Sequence, residues 1–392
     1  MTLNTAPLAH GGASEARVRI ALKAVWVVIA TTGVVQIANA LQTDLLSVRA
    51  GIEQFPAWTI GFVMSSYYVG YSIGPLVGRT VVSRLGHVGT LMVTTACAAV
   101  VIAIHAFLIS PLAWALLRIA SGLALALFYT AVESWIHDRV GNAARGRVFA
   151  TYMLVQMVSM TLAQWLLSIG NPAHAGPFLL ACVLFASAMA LPLAGRGHAP
   201  HRAPPEPFGL DRLFKVSPLG ATVTVLSGIS WSVIFTFGPV YAQRSGFNLR
   251  TTSLYIAMAM IGGAVMQFPL GWLSDHWGRR PTLVFMSAAA LASSLFGFWA
   301  DQNGVVNKEI ASFLLGAFVF TLYAISAART NDFIETKNRV AAAAGLVLLF
   351  GLGSIAGPLL SGAAVSFLGT GGYFIVLAAV MSASLASAIF SR

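Results

Sequence analysis

Residues 112–135 read LAWALLRIASGLALALFYTAVESW, an apolar run interrupted by one arginine, Arg118, and one acid, Glu133. As a helix rising ~1.5 Å per residue, this run is longer than the ~30 Å hydrocarbon core of a bilayer. It has no polar face to turn toward water, so its natural surroundings are lipid or other helices.

The same pattern recurs along the chain. Apolar runs at 20–42, 58–77, 88–109, 112–135, 148–169 and 177–194 are followed by others at 219–243, 253–273, 282–300, 310–328, 340–360 and 373–390. With 57% hydrophobic and 9% charged residues, the chain cannot cover a soluble surface. The expected fold is an all-α membrane protein of twelve transmembrane helices. Residues 17–40 have the basic start and small-residue end of a signal peptide. Cleavage there would leave eleven spans, so the segment is read as retained.

Charge sets the expected orientation. With the N-terminus cytoplasmic, 18 of the 23 basic residues fall in cytoplasmic segments, and only Arg49, Arg244, Arg250 and Lys308 lie outside. Basic residues accumulate on the cytoplasmic side, so both termini are expected there, in a bacterial-type inner membrane. This distribution also accounts for the net charge of +11 without nucleic acid. Cys97 and Cys182 both fall within spans and read as packing residues. No metal-ligand spacing or cofactor motif is present, and no Gly-x-x-x-x-Gly-Lys-Ser/Thr loop offers nucleotide as an energy source.

Residues 195–217 are polar and hold Pro200, Pro204, Pro205 and Pro207. They read as a cytoplasmic linker between six-helix halves at 1–194 and 218–392, with a short surface helix near 209–215. The halves match at an offset of 194: Pro75 with Pro269, Gly122 with Gly316, Tyr129 with Tyr323, Asp138 with Asp332, Arg145 with Arg339. Parallel repeats of this kind are a transporter design, with the binding cavity at the repeat interface.

Gly271-Trp-Leu-Ser-Asp275-His-Trp-Gly278-Arg279-Arg280 resembles the Gly-x-x-x-Asp-Arg-x-Gly-Arg-Arg loop of the major facilitator superfamily, with His276 in place of Arg. The first-half copy, Arg79 to His87, carries Ser83 where the acid is expected. Arg118-Ile-Ala-Ser-Gly122 resembles the superfamily's Arg-x-x-x-Gly motif, whose Arg is associated with proton coupling. Glu133-Ser134-Trp135, Arg145-Gly146-Arg147 and Tyr152 are similar to the YcaD-like branch. The fifth span lacks the Gly-Pro signature of drug–proton antiporters. The resemblance implies two halves related by a pseudo-two-fold axis and a cavity lined by spans one, four, seven and ten.

Candidate substrate-binding residues are therefore Gln36, Asn39, Arg118, Tyr129, Gln156, Trp231, Gln267 and Tyr323. Gating falls to Arg84, Asp138, Arg145, Arg147, Asp275, Arg279, Arg280, Asp332 and Arg339, with acid–arginine pairing expected across the half interface. Arg118 and Glu133, ionisable groups inside one span, are costly there and candidates for function. Glu133 has two readings, a proton carrier or a gate acid pairing with Arg84, Arg145 or Arg147. Trp231 and Tyr323 also fit lipid or interface packing. Asp44 is expected in a solvated loop and His105 near the outer surface.

The expected activity is secondary active transport of a small organic solute, proton-coupled and by alternating access. The alternatives are a proton-independent facilitator or a lipid scramblase. A membrane enzyme would need clustered catalytic groups, which the spans lack. The expected partners are a small-molecule substrate, protons and membrane lipids, with the chain a monomer.

Overall fold

The computed structural model describes residues 8–198, 209–335 and 338–390. Among these the chain is helical, with no strand. Eleven helices are long and apolar enough to cross a membrane: α1 Val25–Ile52, α2 Ala57–Phe107, α3 Pro111–Arg139, α4 Arg147–Ile169, α5 Gly176–Ala194, α6 Pro218–Arg244, α7 Leu249–Trp277, α8 Arg279–Ala300, α9 Val305–Asn331, α10 Ala341–Leu368 and α11 Gly372–Phe390. Large apolar side chains such as Phe268 (86% exposed) and Phe367 (84%) face outward. On a soluble monomer such patches mark interaction sites; here they meet hydrocarbon.

Eleven helices stand where twelve spans were expected, and α2 is long enough for two. Its 51 residues would reach ~76 Å if straight. The chain instead turns at Gly86, whose φ of +70° only glycine adopts without strain. Both arms lie along α3. In the first arm Gly70 packs on the Ile119 carbonyl and Gly78 on Thr130, so the numbering of the two helices rises together. In the second arm His87 meets Ser134 at 3.1 Å, and the His105 ring lies 5.9 Å from that of Trp114, so the numbering runs oppositely. The arms are antiparallel and Gly86 is a hairpin corner. Gly278 (φ +91°) turns the chain between α7 and α8 in the same way.

The repeat is visible in packing. A Cβ on Gly122 would lie 1.9 Å from the Tyr67 carbonyl, and one on Gly316 1.9 Å from the Ala259 carbonyl. Both glycines let backbones touch, the means of close approach in lipid. Ile119 and Phe313, again 194 apart, present carbonyls to Gly70 and Gly262. The partners on α2 and α7 are offset by 192, so Pro75 and Pro269 stand two residues out of packing register.

In α10 the glycine stripe serves two neighbours. Gly353 and Gly357 seat on α6 at Val225 and Ile229, while Gly362 meets Ala57 and Gly61 of α2. α6 contains a π-helical turn at Val233–Phe237. The helix Leu210–Val216 forms where the linker was expected to be helical, and its Leu213 is fully buried. The linker prolines lie outside the described residues.

Hydrogen bonds between residues before 195 and after 217 gather at one end of the bundle, that of the 53–56 turn. Ser47 Oγ donates to the Thr236 carbonyl (3.0 Å), Trp58 N to Ser366 Oγ (3.2 Å), Ser65 Oγ to the Ile355 carbonyl (2.5 Å) and Arg244 Nη2 to the Phe55 carbonyl (2.9 Å). That end is closed.

Candidate functional site

α1 does not stop at Gln42. It runs to Ile52, carrying Thr43, Asp44 and Ser47 into the closed end of the bundle. Asp44, expected in a solvated loop, is fully buried, because Leu45, Leu46 and Val48 extend the apolar helix beyond it. Its Oδ2 accepts from Gln164 Nε2 of α4 at 2.7 Å. Arg118 of α3 is also fully buried. Its guanidinium carbon lies 4.4 Å from the Tyr67 ring centre, a cation–π contact, and Nη1 reaches Thr43 Oγ1 at 3.5 Å.

These groups are far from satisfied. Arg118 Nε and Nη2 and Asp44 Oδ1 have no hydrogen-bond partner, and neither do Asn39 Oδ1, the Gln42 amide, Tyr68 OH, Ser72 Oγ or Gln164 Oε1. An unpaired buried polar group costs ~1–3 kcal/mol, more when charged. A cluster of them marks a place where water, a proton or a ligand completes the valences. His105, expected near the surface, is buried at the same end. Its Nδ1 pairs with the Val101 carbonyl at 2.8 Å.

Toward the Gly86 and Gly278 end the surroundings change. Tyr129 donates to Gln36 Oε1, joining α3 to α1. Glu133 lies one turn further along α3, half-buried and within electrostatic reach of Tyr71, Tyr129, Tyr152 and, across the interface, Tyr323. Among the described residues Glu133 makes no ion pair, and Arg84 and Arg147 are exposed. The Arg145 side chain lies outside the described residues.

Opposite these groups, α6, α9 and α10 present aromatic rings. Trp231 lies 4.6 Å from Phe235, 5.9 Å from Phe320 and 6.0 Å from Phe350; Tyr323 lies 5.1 Å from Phe350. The two residues also read as lipid-facing therefore pack into one aromatic wall.

The sequence-derived binding set divides into layers. Asn39 and Arg118 belong to the closed polar layer, while Gln36, Tyr129, Trp231 and Tyr323 belong to the layer nearer the Gly86 corner. Gln156 is half-buried, its amide 3.7 Å from Met153 Sδ, and Gln267 is exposed. Sequence reading missed Asp44, Gln42, Gln164 and Tyr67. A signal was present, since Gln36, Thr43, Asp44 and Ser47 fall within one helical face.

The gating residues pair differently from expectation. Arg279 binds Asp275 (2.6 Å) in its own loop and Asp332 at the end of α9 (3.5 Å), both within 218–392 rather than across the halves. The (i, i+4) geometry makes the first contact local. Arg280 Nε and Nη2 donate to the Ala388 and Ile389 carbonyls, at 2.9 and 2.7 Å, answering the orphan acceptors at a helix end. Arg339 Nε reaches the Ile334 carbonyl at 3.4 Å. Asp138 lies 4.0 Å from Arg139. Among the described residues no group of His, Cys, Asp and Glu could hold a metal ion.

The sequence profile described as Major Facilitator Superfamily matches residues 24–305. An uncharacterized MFS-type transporter of Enterobacter sp. (strain 638) is 26% identical over 334 residues, covering 82% of this chain and 84% of that one. The uncharacterized MFS-type transporter YcaD of Escherichia fergusonii is 25% identical over 354 residues, covering 88% and 89%. Among solved structures, the nucleoside transporter NupG superposes with a TM-score of 0.76 at 17% identity, covering 93% of this chain and 97% of that one. An inward-facing, unoccupied bacterial homolog of the human lysosomal transporter Spinster gives 0.71 at 13%, covering 94% and 95%. With apolar helices of spanning length and a profile match over most of its length, the chain is a multi-pass membrane transport protein and belongs to the Major Facilitator Superfamily.

Proposed function

We propose that this transporter moves a small organic solute by proton-coupled alternating access. The two arms of α2 count as separate crossings, giving twelve spans in two six-helix halves, 1–194 and 218–392, with both termini cytoplasmic. The 53–56 end is then the outer end. Its hydrogen bonds seal the outer side, and the cavity between Gln36, Tyr129, Glu133, Trp231 and Tyr323 faces the cytoplasm. The solute lies between the amide and phenol groups of one half and the aromatic wall of the other.

One observation carries the coupling: Glu133 sits at the half interface among tyrosines, with no cation paired to it among the described residues. A carboxylate in such surroundings is costly as a bare anion. Without an ion-pair partner, the proton is the species that neutralises it, and protonation alters the balance between the two rocked states. This favours the carrier reading over the gate. Arg118, sealed behind Tyr67 and Asn39, responds to the same cycle when the outer end opens.

The test is uptake into proteoliposomes with an imposed pH gradient, reading lumenal pH while solutes are screened. Coupled transport gives solute-dependent proton movement, whose sign separates symport from antiport. Glu133→Gln abolishes gradient-driven flux and spares solute binding. Unchanged pH dependence in that variant returns Glu133 to the gate. Solute flux without proton movement leaves a facilitator, and gradient-independent lipid exchange leaves a scramblase.

A further inference from the structure

A groove of about 450 Å³ runs between α1 and α4, away from the aromatic wall of α6, α9 and α10. Its walls include Trp26, Ile29, Gly33 and Ile37 of α1 and Thr151 and Val155 of α4, and none of its lining residues is charged. The helix of α1 continues unbroken before Val25, and on it the lining begins at Leu22 and ends at Ile37, a reach of ~22 Å along the helix. One leaflet of the ~30 Å hydrocarbon core is about half its depth, so the groove is long enough to seat an acyl chain lengthwise. Gly33 brings the walls together: an added Cβ would lie 3.1 Å from Val155 Cγ1 and 3.5 Å from Ser159 Oγ.

The groove has a polar mouth. Gly33 lies opposite Val155 and Ser159, and Leu22 and Thr151 mark the low-numbered limits of the two walls, so the low-numbered ends coincide. Lys23 stands three residues before Trp26 on α1, and Arg147 four residues before Thr151 on α4. These spacings put each cation on the groove-lining face of its helix, and both are exposed. Trp26, 54% exposed beside them, is the residue type that settles at headgroup level. An uncharged slot of leaflet length, ending in two cations and an interfacial indole, matches one kind of occupant.

We propose that this groove is a binding site for an anionic glycerophospholipid, with one acyl chain along α1 and α4 and the headgroup phosphate between Lys23 and Arg147. A zwitterionic lipid offers the same chain but no net charge to the two cations, so the site discriminates by headgroup. The site is independent of the transported solute.

The test is a titration of the purified protein in detergent with phosphatidylglycerol or phosphatidylcholine carrying brominated chains, reading tryptophan quenching. Trp26→Phe identifies the component due to Trp26. Phosphatidylglycerol is expected to quench that component at a concentration at least about tenfold lower than phosphatidylcholine. Each interfacial cation attracts anionic lipid modestly, so removing both in K23Q/R147Q is expected to raise the phosphatidylglycerol midpoint by about ten- to thirtyfold, with phosphatidylcholine unchanged. The charge-conserving K23R/R147K pair retains the preference and controls for folding. Equal midpoints for the two lipids in the wild-type protein, an unmoved midpoint in K23Q/R147Q, or full quenching in Trp26→Phe would each overturn the proposal.

Discussion

Each half of the molecule buries charge, and they do so in opposite ways. In the second half, Asp301 is enclosed by Tyr241 OH (2.7 Å), Thr370 Oγ1 (2.8 Å) and Lys308 Nζ (3.6 Å). Lys308, expected in a loop, is 8% exposed and lies 5.4 Å from the centre of the Phe247 ring. In the first half, Asp44 and Arg118 are fully buried and form no ion pair, and both keep unused hydrogen-bonding atoms. A saturated buried pair ties α6, α9 and the loops before α9 and α11 into one body, and breaking it leaves a stranded charge. Asp44 and Arg118 do not meet each other, and each ties α1 to a neighbour by a single side-chain bond, Asp44 to Gln164 of α4 and Arg118 of α3 to Thr43.

The comparison fails if the first-half charges are structural. Arg118→Gln is expected to lower gradient-driven uptake by about 100-fold or more while the unfolding temperature stays level or rises, since an unpaired buried charge is removed. A large loss of stability would put Arg118 among the structural charges. Conversely, Asp301→Ala is expected to cost about 3 kcal/mol by stranding Lys308, read from thermal unfolding in detergent, with uptake per folded molecule within about threefold of wild type. The double variant D301N/K308M sharpens this. A cycle with the two single variants is expected to return a coupling of about 1–3 kcal/mol, whereas Asp44 and Arg118 variants combine with a smaller one.

A smaller effect separates the two corners. Gly86→Ala and Gly278→Ala each force a positive φ on a side chain and are each expected to cost about 1 kcal/mol. Arg279 beside Gly278 is held by Asp275 and Asp332, whereas Ser83 near Gly86 bonds only locally, to the Thr80 carbonyl. Proteolysis of the intact protein is expected to increase more at the Gly86 corner.

The apolar helices and the glycine contacts were legible because they rest on periodicity and on residues with one physical use. Gly122 and Gly316 could be matched by number and then found in the same contact. Asp44 was misread because Gln42-Thr43-Asp44 looks like a helix end when judged by polarity, and Gln164, its partner, stands 120 residues away. No local pattern shows that these two meet. Arg279 posed the reverse difficulty: its partner lies four residues back, and the expectation of pairing across the halves passed over the nearest acid. The aromatic wall was undecidable from sequence, since Trp231 on an apolar helix reads equally as lipid-facing until Phe320 and Phe350 are brought beside it.

The π-helical turn at Val233–Phe237 holds one residue more than an α-helical turn would. Trp231 before it faces the aromatic wall, and Tyr241 beyond it stacks on Tyr373 at 4.8 Å. Deleting a single residue between them would restore an ordinary turn and leave the residues after it nearly in register, with Tyr241 still in its stack. When relatives of this chain are aligned, a one-residue gap in the middle of this span is therefore compatible with one unbroken helix, although gaps are ordinarily taken to belong to loops.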